Sequence, residues 1–247
     1  MPTDTFETAR AVGRVHGRIT ASSTRKITAG LASFEQNVDV AELARRIEVT
    51  RSTRVTPLMF SYDLVERARE DRRHIVLPEG TDDRILRATE IVLRRGVADI
   101  TLLGPSDEIR RRAAALEINL GDAEIIDPTS AAAAELRERF AERYAKVRAH
   151  KGVTLVQARD IVTSASYFGT LMVSEGLADG MVSGAVHTTA HTIRPAFEVI
   201  RTVPGTAIVS SVFFMCLPAR VLVYGDCAVN PDPNAEQLAD IALSSAA

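Results

Sequence analysis

The sequence contains no tryptophan, only two cysteines, and no lysine besides Lys26, Lys146 and Lys151. Cys216 and Cys227 are too few for a disulfide scaffold and lack C-x-x-C spacing, so a reducing compartment is the default. Both read as small buried side chains in strands. No stretch approaches the ~18 uninterrupted apolar residues of a membrane span, and the N-terminus MPTDTFETARAVGRVHG lacks the apolar core of a signal peptide. A cytoplasmic location is expected, with no membrane partner. The formal net charge of -2 supplies no basic field for nucleic acid, so a small anionic ligand would have to be met locally. Phosphate cradles of the G-x-G-x-x-G and G-x-x-x-x-G-K-[ST] types are missing, as is the G-x-S-x-G nucleophile elbow. Dinucleotide, P-loop and α/β-hydrolase chemistry are thereby set aside.

What is present is an ordinary globular composition, 46% hydrophobic and 25% charged, with 30 cationic side chains that are almost all arginine. Residues 1 to 55 carry one short helix signal, Val40 to Ile47, where Asp39 and Glu42 form a capping-box pattern. The turn-rich Arg51 to Pro57 segment reads as a linker, with a boundary near Thr56. From there strand and helix signals alternate. Helix Leu64 to Glu70 leads to strand His74 to Pro78, then to a helix capped by Thr81 and closed by Gly96. Strand Asp99 to Leu103, a helix after Ser106 and strand Ala123 to Ile126 follow. Leu136, Phe140, Tyr144 and Val147 then mark one buried stripe of a longer helix. Further on come a Thr154/Gln157 capping box, helix Phe168 to Gly176, strand Gly180 to Gly184, helix Ile193 to Val199, strands Ala207 to Leu217 and Val221 to Tyr224, and a helix capped by Asn234 and Gln237. This alternation predicts an α/β fold with a mainly parallel sheet covered on both faces, binding ligands at the carboxyl ends of its strands.

The stretch Val182-Ser-Gly-Ala-Val-His-Thr-Thr-Ala-His-Thr-Ile-Arg-Pro195 puts a strand end, a glycine, hydroxyls, imidazoles and an arginine into one turn and helix start. Free N–H groups there, the hydroxyls of Ser183, Thr188 and Thr189, and the Arg194 guanidinium suit a phosphate. Ordinary helix capping is the other reading of the same residues. His187 and His191 share a helical face, yet H-T-T-A-H lacks the glutamate of H-E-x-x-H and a third ligand, so no metal is expected. Arg148 closes the long helix, where a cation also suits the helix dipole. Arg84 projects near a strand's carboxyl end, although spacing alone would leave it on the surface.

Read together, His74-Ile-Val-Leu-Pro-Glu79 with Asp83-Arg84, Val147 to Gly152, Tyr167-Phe168, Ala178 to Ala185 and His187 to Pro195 resemble the phosphate acetyltransferase family, bacterial long form. Ser210 to Phe214, Tyr224 to Pro233 and Ala235 to Ile241 are similar to it in the same order. The resemblance covers about Thr56 to Ala247 and implies a three-layer α/β/α fold like that of isocitrate and isopropylmalate dehydrogenases. The implied division is a linker and remnant of a regulatory region over 1–55, a first domain over 56–202 and the start of an incomplete second domain over 203–247, the chain being truncated at both ends. The implied reaction is acetyl-CoA plus phosphate giving acetyl phosphate plus CoA, by direct thiolate attack in reverse. It uses no cofactor or metal, CoA itself being a substrate. Phosphate, acetyl phosphate and acetyl-CoA would then be the partners, with a homo-oligomer left open. By motif match Arg194 leads the phosphate contacts, Arg148 and Arg84 follow, and Ser183, His187, Thr188 and Thr189 line the pocket. The family's Ser-Tyr-Ser-Thr-Gly segment and its later Ser-Arg-Gly motif with an Asp, which serve thiol activation and the oxyanion, are not in this sequence. The competing readings are a phosphate butyryltransferase, which differs across His187 to Arg194, and a non-catalytic acyl-CoA-sensing domain of the kind attached to malic enzymes.

Overall fold

The computed structural model describes residues 23–49 and 55–246. Contacts divide the chain into two units, Met1–Val55 and Thr56–Ala247. In the first unit, α1 (Thr24–Asn37) is followed by α2 (Val40–Val49), where the Glu42 N–H donates to Asp39 Oδ1 at 2.9 Å as the capping pattern requires. The expected regulatory remnant before residue 23 and most of the Arg51 to Pro57 linker lie outside the described residues.

The second unit opens with α3 (Pro57–Glu70), seven residues before the apolar signal at Leu64. Thr56 Oγ1 accepts from Met59 N, and Pro57, whose missing N–H costs nothing in a first turn, occupies the first helical position. β1 (Arg73–Leu77), α4 (Asp83–Arg95) and β2 (Ala98–Leu103) then complete a β-α-β unit. Asp82, not Thr81, caps α4: its carboxylate accepts from Arg84 N at 2.9 Å, and a carboxylate at a helix N-terminus also meets the dipole favourably. Gly96, at φ +65°, closes α4 in the left-handed conformation. The run continues through α5 (Ser106–Ala115), β3 (Glu124–Ile126), α6 (Ala134–Arg148), a 3₁₀ turn over Ala149–Lys151, α7 (Leu155–Ile161), α8 (Ala165–Ser174), β4 (Gly180–Met181) and α9 (Thr189–Val199). Last come β5 (Val212–Leu217), β6 (Arg220–Gly225) and α10 (Ala235–Ala246).

The first four strands form one parallel sheet in the order β3-β2-β1-β4. Side chains alternate across it. Leu77, Ile100 and Leu102 pack with Leu86 of α4 and Ile109 of α5 on one face, while Val76 and Leu103 pack with Phe140, Phe168 and Leu171 on the other. The sheet is thus the middle of three layers. Since β2 and β3 lie on one side of β1 and β4 on the other, chain direction across the sheet reverses between β1 and β4. In open parallel sheets such a reversal opens a crevice at the strands' carboxyl ends, here between the loops after β1 and β4.

β5 and β6 pair antiparallel as a separate two-stranded sheet, touched by α10 and by α3, whose Phe60 ring lies 5.0 Å from Phe214. Most of β5 stays exposed, Cys216 included, because no helix layer among the described residues covers the hairpin as helices cover the main sheet, and Cys227 is only half-buried. The expectation of buried cysteines is therefore corrected.

Gly80 follows Glu79 in the loop after β1, and a Cβ there would stand 2.7 Å from the Leu103 carbonyl oxygen and 2.8 Å from Ile109 Cδ1. Gly80→Ala is expected to destabilise the second unit by about 1–3 kcal/mol, since backbone cannot yield as a side-chain end can. Urea unfolding of the variant beside wild type measures it.

Candidate anion site at the sheet's switch point

The crevice between β1 and β4 is bridged chiefly by one buried side chain. Glu79, 3% exposed, sends its carboxylate from the loop after β1 into the loop after β4. Oε2 accepts from the N–H groups of Gly184 (3.0 Å) and Ala185 (2.7 Å), and Oε1 from those of Val186 and His187 (2.9 Å each). The His187 ring adds a fifth donor, Nδ1–H, at 2.8 Å from Oε1. Burial alone would push this carboxyl up, but the Val186, Ala185 and His187 donors outweigh it and hold the group down at about 2 against an ordinary 4.5.

The N–H groups of the loop ahead of α9 are thus not free for a ligand. Those of Gly184 to His187 are already committed to an internal anion. The donors remaining are the backbone N–H groups of Thr189 and Ala190 in the first turn of α9, which make no hydrogen bond among the described residues. Thr188 is the N-cap of α9, its Oγ1 accepting from His191 N at 3.3 Å, so its oxygen is engaged in capping. Ser183 Oγ lies 3.5 Å from Thr192 Oγ1, and Thr189 is exposed. His187 and His191 stack with centroids 4.6 Å apart, and the described residues hold no group of three or more possible metal ligands.

Arg84 is exposed, but its guanidinium is not idle. Nε and Nη2 meet Asp82 side-on at 3.0 and 2.8 Å, and Nη2 also donates to the Ala185 carbonyl at 2.6 Å. The Arg84 hydrogen bond keeps the Asp82 carboxyl low, at about 2. Arg84 thus braces the loop that Glu79 holds. Beside it opens a cleft of about 460 Å³ lined by Thr81, Asp82, Asp83, Arg84, Arg112 and Val186.

The other two arginines lie near Glu198 and Tyr167. Tyr144 and Arg148 lie one turn apart on α6, as Arg194 and Glu198 do on α9, and Tyr167 projects from α8. Glu198 Oε2 accepts both phenol O–H groups, from Tyr144 at 2.6 Å and Tyr167 at 3.0 Å, while Arg148 Nη2 reaches Oε1 at 3.4 Å. Burial, followed by the contact with Glu198, pushes both phenols up. Arg194 is exposed and makes no hydrogen bond or ion pair among the described residues, though its charge is felt at Tyr167. Arg148 and Arg194 are therefore brought to one place, whereas Arg84 belongs to the loop cluster.

A second carboxylate repeats the loop-holding device beyond β6. Asp226 accepts from Ser211 Oγ (2.6 Å) and from the N–H groups of Ala228 (3.0 Å), Val229 (3.2 Å) and Asn230 (2.8 Å). Burial pushes its carboxyl up and these donors pull it further down. Sequence reading passed over Glu79, Glu198 and Asp226 as site-builders. The one available signal was an isolated acidic residue next to a proline or glycine in an otherwise apolar strand end, present for Glu79 and Asp226.

Because the Glu79 carboxyl is depressed on folding, its stabilisation is fully present above the ordinary 4.5 and is lost as pH falls towards about 2. The shift corresponds to about 3 kcal/mol. Glu79→Gln is expected to lose roughly that amount at neutral pH and to flatten the acid limb of stability between those values. Urea unfolding from pH 2 to 7 tests both.

The comparisons agree with this architecture. A family model described as phosphate acetyl/butaryl transferase matches residues 59–247. The phosphate acetyltransferase of Nitratidesulfovibrio vulgaris is 49% identical over 244 residues, covering 98% of this chain and 34% of that protein. That of Corynebacterium glutamicum is 50% identical over 188 residues, 76% of this chain and 56% of its own length. A crystal structure of a phosphotransacetylase from Streptococcus pyogenes superposes with a TM-score of 0.69 at 38% identity, covering 76% of this chain and 57% of that one. The chain spans between about a third and just over half of the length of these relatives. With the family model covering most of its residues, the chain belongs to the phosphate acetyl/butaryl transferase family.

Proposed function

We propose that this chain supplies the phosphate-holding part of a phosphate acetyltransferase, the enzyme that interconverts acetyl-CoA plus phosphate and acetyl phosphate plus CoA. The observation that carries the reading is that Arg148 meets Glu198 at one point, 3.4 Å away, while Arg194, one turn before Glu198 on α9, makes no hydrogen bond or ion pair among the described residues: two guanidinium groups near one carboxylate leave a net positive charge where an anion can bind. Arginine suits this task because its planar fork offers two parallel donors to phosphate oxygens.

In this reading Arg194 is the leading phosphate contact and Arg148 its partly buried companion. Ser183, His187, Thr188 and Thr189 shape the approach, and Arg84 braces the loop from the other side. A phosphate oxygen attacks the acetyl carbonyl carbon, the tetrahedral intermediate collapses, and the CoA thiolate leaves. In reverse, the thiolate attacks the carbonyl of acetyl phosphate. The reaction calls for no resident cofactor or metal. Thiol activation and the oxyanion donors are assigned to the Ser-Tyr-Ser-Thr-Gly and Ser-Arg-Gly segments, which this sequence does not contain.

The family model spans acetyl and butyryl transfer alike, while the named relatives are phosphate acetyltransferases, which favours the acetyl group. Calorimetric titration of the chain with inorganic phosphate is expected to give a binding isotherm that Arg194→Ala weakens at least about tenfold, the loss of one charge-assisted hydrogen-bonding group. An isotherm indifferent to that change removes Arg194 from the site. Phosphate-dependent CoA release from acetyl-CoA and butyryl-CoA, measured on the longer protein containing this chain, should favour acetyl-CoA. A butyryl preference overturns that choice.

A further inference from the structure

Glu198 stands in an unusual position for a carboxylate beside an anion site, because it is the one group there that ought to repel the ligand. Its surroundings explain how it can be useful. Both phenols, Tyr144 at 2.6 Å and Tyr167 at 3.0 Å, are spent on the same oxygen, Oε2. Their rings pack edge to face, centroids 5.4 Å apart at 82°, and Tyr144 is only 3% exposed, which keeps its hydroxyl on Glu198. Arg148 meets the other oxygen, Oε1, and only through Nη2, at 3.4 Å.

That single-point contact contrasts with the side-on pair of Arg159 and Glu138, where Nε and Nη2 both engage the carboxylate at 2.9 and 2.6 Å. In Arg148 the Nε is shut away from solvent and has no hydrogen-bond partner. A guanidinium N–H that is desolvated without an acceptor is costly, and such atoms call for an explanation. Here the side-on face of the fork is half used: Nη2 leans on Glu198, and Nε has no acceptor.

We infer that Glu198 is a positioning residue, tethered by Tyr144 and Tyr167 so that it orients Arg148 through one oxygen without clamping it, which leaves the remaining guanidinium donors for the incoming phosphate. The inference rests on the phosphate-binding role given to Arg148 above. Glu198 itself touches no substrate in this scheme. Its effect passes entirely through Arg148.

Two readouts on the full 247-residue chain separate this inference from the functional reading on which it rests. The first needs no ligand: the Nε–H proton resonance of Arg148, identified by its loss in Arg148→Lys, is expected to be resolved and slowly exchanging. It should merge with the solvent-exposed arginines in Glu198→Ala. Glu198→Gln, which keeps the shape and one acceptor oxygen for the phenols, should broaden it, and carries the test if the alanine variant does not fold. An Arg148 resonance that neither change disturbs overturns the positioning role. The second is inorganic phosphate titrated by calorimetry. Glu198→Ala should weaken binding about tenfold, and the Glu198→Ala/Arg148→Ala double variant should be no weaker than Arg148→Ala alone. Additive losses, or tighter binding on removing Glu198, also overturn it, the latter because Glu198 would then be a competitor of the anion. If the wild-type chain takes no phosphate while the Arg148 resonance responds as described, the functional reading falls and the positioning role stands.

Discussion

The second unit depends on one buried carboxylate. Glu79 leaves the sheet at the end of β1 and gathers four consecutive backbone N–H groups of the loop that follows β4. A parallel sheet whose strand order reverses between β1 and β4 has an open crevice at that point, and nothing in the hydrogen-bond ladder joins the two loops across it. Glu79 makes the joint. It thereby sets where β4 ends, where the Thr188 cap falls and which way α9 departs with Arg194 and Glu198.

Seen from that joint, the arginines divide by job. Arg84 is spent on structure, holding Asp82 and the Ala185 carbonyl. Arg148 is half spent, on Glu198, and Arg194 is unspent among the described residues. The division follows from depth and neighbours: a guanidinium is available to a ligand only where the fold has not already provided a carboxylate in bidentate geometry. The Glu198 cluster draws on α6, α8 and α9, so the anion site proposed for it rests on the packing of three helices and not on one loop.

Much of this fold was legible because its signals are local. The reciprocal caps Thr154/Gln157 and Asn234/Gln237, the Gly96 stop and the Phe140/Tyr144 stripe each need only neighbours within a turn, and all four stand as read. The misreadings come from contacts at long range. β4 was expected to run to Gly184, but its backbone leaves the ladder after the Val182 N–H bonds Val76 O, since the following N–H groups turn to Glu79, 105 to 108 positions away. β5 starts at Val212 instead of Ala207 because Val209 O is taken by Asn230 and Ser211 by Asp226. α9 starts at Thr189, four residues before the apolar signal at Ile193, because the cap at Thr188 precedes the first buried residue. Among the candidate residues, the pairing of Arg148 with α9 could not be read from spacing, the partners being 50 positions apart.

The Glu79 joint also behaves differently from the site it supports when salt is added. Its charge is enclosed by protein donors and shielded from the ion atmosphere, so mobile ions hardly weaken it. Arg194, facing water, is fully exposed to that screening. The loop architecture is therefore far less sensitive to the ionic medium than the contact proposed for Arg194 would be, so the frame of the proposed site and its grip on a charged ligand answer to different conditions.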